Sequence, residues 1–276
     1  MPVKNILCAY NGSPASEAAL KASILMHKKY AAHLTGFFAH GCLSVDTGLR
    51  SWMPQALCES VLQVESGFNA KVKQQFLASV EGQVAPDKLH WISEKGRSDA
   101  TVAEYARLFD VTVVGQFDPL LGREHLELHP DQIALKSGRP VLVFPRGWDQ
   151  NEIPDHAVLA WDGKRTATRA LADAMQILET KKRITVLTVA TGKACKPLQG
   201  IDVVEALRRH DVEVELVTIS PKGRSVGDSI LDYCDQVGAR LLVTGAYEHS
   251  MFREDLVGGV TDTLVRKANI PVLMSH

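Results

Sequence analysis

The chain is poor in the features that mark a metal centre, a membrane span or a nucleic-acid surface. Its five cysteines, Cys8, Cys42, Cys58, Cys195 and Cys234, are odd in number, scattered and never spaced as C-x-x-C. That pattern excludes a disulfide scaffold and a zinc ribbon. It reads as reduced thiols of a cytoplasmic protein, with Cys8 a small buried residue on a strand. A formal net charge of −1 leaves no global field to recruit nucleic acid or an anionic membrane. No apolar run approaches the ~18 residues of a membrane span. The amino terminus runs directly into a strand-like segment, without a secretory leader's apolar core. G-x-x-x-x-G-K-[ST], G-x-G-x-x-G and G-x-S-x-G are all missing, which removes the P-loop, the ordinary dinucleotide fold and the nucleophile elbow.

What is present is repetition. "ILCAYNGSPASEAALKA" (6–22) is answered by "VLAWDGKRTATRALADA" (158–174), so that Asn11-Gly12 corresponds to Asp162-Gly163 and Ala19-Leu20 to Ala170-Leu171. "GRSDATVAEYARLFDVTVVGQ" (96–116) is answered by "GRSVGDSILDYCDQVGARLLVTGA" (223–246), and "GRPVLVFP" (138–145) by "NIPVLMSH" (269–276). Internal repetition on this scale sets the organisation of the whole chain. The 276 residues, 45% hydrophobic and 23% charged, are enough for two small cores.

Within each half, apolar runs alternate with helical periodicities. The first half reads as strands 3–10, 34–40, 88–94, 111–116 and 140–145, with helices 14–32, 54–82, 98–109 and 131–137. Helix 54–82 carries a stripe of Leu57, Val61, Val64, Phe68, Val72 and Phe76, three or four residues apart. The second half reads as strands 156–161, 183–190, 212–219, 240–245 and 270–275, with helices 165–179, 200–210, 225–238 and 260–268. Near-continuous apolar strands such as "VTVVG" and "RLLVTG" belong in parallel sheets covered on both faces. The polar, Pro-containing stretch 146–155 suits a linker. The expectation is an α/β protein of two tandem doubly wound domains, 1–146 and 155–276. Apolar last strands invite edge pairing, so "PVLVF" and "PVLMS" should pair antiparallel about a pseudo-two-fold axis, an intrachain pseudo-dimer.

"ILCAYNGSPASEAAL", the "VTVVGQ" and "RLLVTGA" strands, "GGVTDTLVRKANIPVLMSH" and the tandem layout together resemble the universal stress protein family. The resemblance implies a five-stranded parallel sheet in each half, ordered 3-2-1-4-5, and a role in the stress response. It also implies an adenine-nucleotide site beside strands 1 and 4. An Asp after strand 1 would contact adenosine, and a Gly-x2-Gly-x9-Gly-Ser/Thr loop would wrap the phosphates. Mapped onto the second half, this gives Asp162, Gly245, Gly258, Gly259 and Thr261, with Glu248 at the second glycine position and Gly259 where Ser or Thr is expected. In the first half Asn11 replaces the Asp, Gly115 remains and Asp118 stands at the second glycine position. The ligand that the resemblance implies is therefore ATP or another adenine nucleotide, with Mg, held once per chain in the second half. The alternative is a protein of the same fold that acts through protein partners.

No catalytic residue is named. His249-Ser250 are sequence neighbours rather than a facing base and nucleophile. His125 and His129 lie four apart but precede Pro130 and have no third ligand, so they read as loop residues. Glu254-Asp255 reads as a solvated face.

Overall fold

The computed structural model describes residues 3–40, 54–117, 126–152, 155–191, 199–246 and 259–276. Its first half contains strands β1 (Asn5–Ala9), β2 (His33–His40), β3 (Leu89–Lys95), β4 (Val111–Gly115) and β5 (Val141–Phe144). Helices α1 (Pro14–Tyr30), α2 (Gln55–Val80), α3 (Ser98–Ala106) and α4 (Pro130–Ser137) connect them. The second half repeats the order with β6 (His156–Ala160), α5 (Arg165–Leu178), β7 (Arg183–Val189), α6 (Val203–Arg208), β8 (Val214–Ile219), α7 (Val226–Val237), β9 (Leu242–Gly245), α8 (Val260–Lys267) and β10 (Val272–Ser275). A short 3-10 turn, Pro86–Lys88, precedes β3.

Local chemistry sets the ends of these elements. The hydroxyl of Ser13 accepts from Ser16 N at 3.2 Å and caps α1, with Pro14 in the first turn. Ser225 caps α7 in the same way, accepting from Asp228 N at 3.0 Å. Helices α4 and α7 stop at Gly138 (φ 63) and Gly238 (φ 62), whose left-handed backbone costs glycine little.

The described strands form one ten-stranded sheet in the order β3-β2-β1-β4-β5-β10-β9-β6-β7-β8. Each half therefore has the order 3-2-1-4-5. All neighbours run parallel except β5 and β10, which pair antiparallel through Val141↔Met274, Leu142↔Leu273 and Val143↔Val272. Leu142 faces its own counterpart in the repeat, so the pseudo-two-fold passes through that pair. The strands of the two halves consequently run in opposite directions, and their carboxyl ends open at opposite edges of the sheet.

Helices α1, α2, α5 and α6 cover one face and α3, α4, α7 and α8 the other, and each hydrophobic layer contains residues from both halves. Polar contacts reinforce the seam. Gln116 Nε2 donates to Val265 O at 2.9 Å at the end of α8, and Arg169 Nη2 donates to Gly138 O at 3.2 Å. Cys8 is fully buried, and burial pushes its thiol up to about 12, as for Cys234. Cys42 and Cys195, and the side chain of Cys58, lie outside the described residues.

The apolar stripe of α2 is buried only in part. Val72 and Phe76 are buried, but Val64, on the same stripe of α2, is 67% exposed. The side chains of Leu57 and Val61 are outside the description. The helix has 26 residues and β3 has seven. At about 1.5 Å per helical residue against about 3.3 Å per strand residue, α2 is roughly 39 Å long and β3 roughly 23 Å. The amino-terminal turns therefore outrun the sheet they would cover.

At the seam, Lys181 follows α5 and is only 6% exposed. Burial first, and then the neighbouring Lys29, lower its ammonium from 10.5 to about 8, against a smaller opposing pull from Asp155. Below pH 8 both folded and unfolded chains hold the proton, so the folded state bears the full penalty, on the order of 3 kcal/mol. Between pH 8 and 10.5 the unfolded chain binds more protons, and stability gained from this group rises with pH. We expect Lys181→Met to raise the melting temperature at pH 7. Its advantage over the parent chain should shrink as thermal unfolding is followed from pH 8 towards pH 10.5.

Candidate functional site

An open α/β sheet leaves a crevice where the chain direction of its connections switches, outside the carboxyl ends of two central strands. Here there are two such places, after β1 and β4 and after β6 and β9. In each, the turn after the first strand is built the same way. Asn11 Oδ1 accepts from Ser13 N at 3.1 Å, and Asp162 Oδ1 accepts from Lys164 N at 3.0 Å. The intervening Gly12 (φ 76) and Gly163 (φ 74) supply the left-handed residue. One oxygen of each side chain is thus occupied in turning the chain.

The second atom separates the two sites. Asn11 Nδ2 donates to Leu126 O at 3.0 Å, fastening the segment 126–129 beside the first crevice. Asn11 is 9% exposed and Leu126 lies in the core. A carboxylate has no proton to give that carbonyl. Asp162, by contrast, has a side chain 49% exposed, with Oδ2 3.7 Å from Lys164 Nζ.

The helix amino termini follow the same division. Ser13 caps α1, whereas no side chain caps α5 at Lys164. At the start of α4, the backbone N–H of His129 donates to Asp99 Oδ1 at 2.8 Å and its ring Nδ1 donates to Oδ2 at 2.9 Å. The chain thus places its own carboxylate at a helix end that favours anions. In the matching "GRSV" of the second half, Val226 stands where Asp99 stands in "GRSD". Gly259 is the N-cap of helix α8 and gives no side-chain cap, and among the described residues nothing lies within 4 Å of the position a Cβ would take. Thr261 is buried in its first turn. Among the described residues, the second crevice therefore combines a half-exposed carboxylate with two helix starts whose N-cap residues, Lys164 and Gly259, give no side-chain cap.

The two strand-end glycines carry a different meaning. A Cβ on Gly245 would stand 2.6 Å from Thr166 C and 2.8 Å from Ala167 N, and one on Gly115 would stand 2.4 Å from Ala15 C. Both glycines exist because the first turn of α5 or α1, the helix that follows the neighbouring strand β6 or β1, lies against the strand end. That packing need accounts for Gly245 without any ligand. Among the other expected loop residues, Glu248 and Gly258 lie outside the described residues, as do Asp118, His125, His249, Ser250, Glu254 and Asp255. His129 pairs with Asp99 and stacks on Phe117 at 4.8 Å. Among the described residues no group of three metal-ligating side chains occurs. In the sequence the signal for Asp99 is its contrast with Val226 inside an otherwise matching motif, a difference that no site motif covers.

A universal stress protein domain is found at residues 155–276, where the chain matches the model of the universal stress protein family. Over its whole length the chain is similar in fold to a universal stress protein from Archaeoglobus fulgidus DSM 4304. The identity is 15% and the TM-score 0.71, with 98% of this chain and 95% of that chain covered. It is also similar to a functionally unknown protein from Pseudomonas aeruginosa PAO1, at 14% identity and a TM-score of 0.54, covering 99% and 92%. At such identities the likeness is one of fold. No curated protein matches the chain in sequence. No described helix is long and apolar enough to cross a membrane.

The asymmetry at residues 11 and 162 makes a direct prediction. Asn11→Asp keeps the turn-forming oxygen, loses the donor to Leu126 O and sets a carboxylate against that carbonyl. We expect a loss of about 1–3 kcal/mol in urea unfolding, whereas Asp162→Asn, in the half-exposed position, should change stability far less.

Proposed function

We propose that the chain is a tandem universal stress protein, with domains at 1–146 and 155–276, that serves in the cytoplasmic stress response. We further propose that it holds one adenine nucleotide, ATP, in the second domain. The observation supporting a single site is the contrast between the crevices. In the first, Asn11 is tied to Leu126 and Asp99 stands at the start of α4. In the second, Asp162 is half exposed and the starts of α5 and α8 carry no side-chain cap.

In this reading Asp162 contacts the adenosine, and Gly258, Gly259 and Thr261 lie along the phosphates at the start of α8. Gly245 contributes through the close packing of α5. Magnesium would place positive charge between the phosphates and Glu248. The nucleotide supplies the charged group that the helix starts favour, and the protein's part is to bind and orient it.

A second reading is a protein of the same fold that binds no nucleotide and acts through protein partners. The packing explanation of Gly245 favours it, because one of the two retained motif glycines, Gly245 and Gly258, then carries no information about a ligand. Mass spectrometry of small molecules released from the purified chain separates the two. An adenine nucleotide supports the first. If none is released, and calorimetry detects no ATP binding, the second stands.

Calorimetry also tests the asymmetry. We expect one ATP per chain, and Asp162→Ala should weaken it by about 1–3 kcal/mol. Two equivalent sites per chain would contradict the proposal.

Glu248 gives a separate expectation. Two unit charges ~4 Å apart repel by roughly 4 kcal/mol at an effective dielectric of ~20, and a residual ~1.4 kcal/mol is tenfold in affinity. Glu248→Gly should therefore tighten ATP roughly tenfold and leave adenosine nearly unchanged. Weaker ATP binding in that variant would make Glu248 a residue that supports the ligand.

A further inference from the structure

The strand registers give the two halves another set of equivalent positions. Asn5 of β1 lies beside His33 of β2, and Thr35 of β2 beside His90 of β3. In the second half His156 of β6 lies beside Arg183 of β7, and Thr185 of β7 beside Glu215 of β8. His33 therefore corresponds to Arg183 and His90 to Glu215. Side chains alternate between the faces of a strand, so His33 and His90 share a face with the buried Thr35. Arg183 and Glu215 share one with the buried Thr185 in the same way.

In both halves the ends of the two side chains meet. Arg183 Nη2 donates to Glu215 Oε1 at 2.6 Å. His33 Nδ1 and His90 Nε2 stand 3.1 Å apart and share one proton, and the rings stack with centroids 5.4 Å apart and 19° between their planes. Convergence at these positions is thus a property of the register, because two unrelated pairs of side chains show it. The chemistry differs. A guanidinium and a carboxylate neutralise each other, whereas two imidazoles set a pair of nitrogen ligands side by side. His90 is exposed and His33 half-buried, so an ion can reach them from solvent.

A metal about 2.1 Å from two ligand nitrogens holds them about 3.0 Å apart at a right angle and about 3.4 Å apart at the tetrahedral angle. The 3.1 Å between the facing nitrogens falls in that interval. We propose that His33 and His90 chelate one divalent transition-metal ion of the nickel or zinc type, with water filling its other positions. The proton that one ring donates to the other moves through water to the donor ring's second nitrogen. Both facing nitrogens then offer lone pairs, and no proton is gained or lost. The exposed His90 ring has room to tilt its lone pair onto the ion. Imidazole suits such ions, whereas magnesium keeps to oxygen ligands. Of the charged groups at this end of the strands, Lys88 Nζ donates to Ala31 O at 2.9 Å. Asp110 Oδ2 accepts from Lys4 N and Asn5 N at 2.7 and 2.8 Å, so both groups are engaged with backbone. The pair lies at the amino ends of β2 and β3, whereas the crevices lie outside carboxyl ends, so this site is separate from the proposed nucleotide site.

The test is calorimetric titration of the full, untagged chain with nickel chloride to about 1 mM, a range that reaches weak binding. His33→Gln, His90→Gln and the double variant are titrated beside the parent. Losing either ring leaves one ligand and no chelate. We therefore expect each single variant to bind Ni²⁺ roughly tenfold more weakly, and the double variant no more than about twofold more weakly again, the non-additivity of two residues that act as one site. The thiols and the other histidines are the same in all four proteins, so the comparison isolates this pair. Magnesium chloride at about 10 mM should leave the parent's Ni²⁺ isotherm unchanged. Circular dichroism checks that the variants fold, and should one single variant not fold, the other decides. No Ni²⁺ binding by the parent, unchanged affinity in a folded single variant, losses that multiply in the double variant, or displacement of Ni²⁺ by magnesium would each overturn the proposal. No nucleotide is added, so the result is independent of the nucleotide reading.

Discussion

Three residue pairs between β5 and β10 hold the architecture together. Without them each half would present a bare, apolar last strand of four residues, an edge open to any extended chain. Their antiparallel pairing converts two parallel five-stranded sheets into one sheet of ten and makes both hydrophobic layers continuous across the seam. It also fixes the polarity of everything else. The strands of the halves run in opposite directions, the crevices open at opposite edges, and α1 and α5 converge over the junction. The contacts of Gln116 with the end of α8, and of Arg169 with Gly138, are possible only because of that arrangement.

The duplicated crevices show how one backbone can hold two chemical states. The turn after the first strand needs one side-chain oxygen, and both Asn11 and Asp162 provide it. The other atom of the side chain is available for something else. An amide makes it a donor, and Leu126 O accepts. A carboxylate makes it an acceptor, and at position 162 it stays half exposed. The helix starts repeat the lesson: Ser13 and Asp99 satisfy those of the first half from within the chain, whereas in the second half the corresponding positions are Lys164 and Val226. Duplication preserved the scaffold while single-residue differences changed what each crevice has to offer.

Much of this was legible in the linear chain. The alternation of apolar runs and helical periodicities located the strands and helices to within a few residues, because strand burial and helix amphipathicity are local patterns. The terminal "PVLVF" and "PVLMS" announced their pairing, since an apolar strand that closes a sheet needs a neighbour. What the linear chain does not show has physical causes. Val64 continues the stripe of α2, but periodicity marks a face without showing where the sheet beneath it ends. Gly245 matches a loop glycine, yet its space is taken by Thr166 and Ala167, a contact between residues about eighty positions apart. Such an approach of helix to strand leaves no trace in spacing.

The sequence by itself determined the repeat, the α/β class, the order of elements and the residues that differ between the copies. These follow from hydrophobic periodicity, from turn-forming Gly and Pro, and from side-by-side comparison of the halves. Only the tertiary structure decided what those differences do. That Asn11 fastens Leu126, that Asp99 stands at the start of α4, and that Lys181 is buried beside Lys29 depend on distances between segments far apart in the chain. Hydrogen bonds act within about 3 Å, and the fold alone sets which groups come that close.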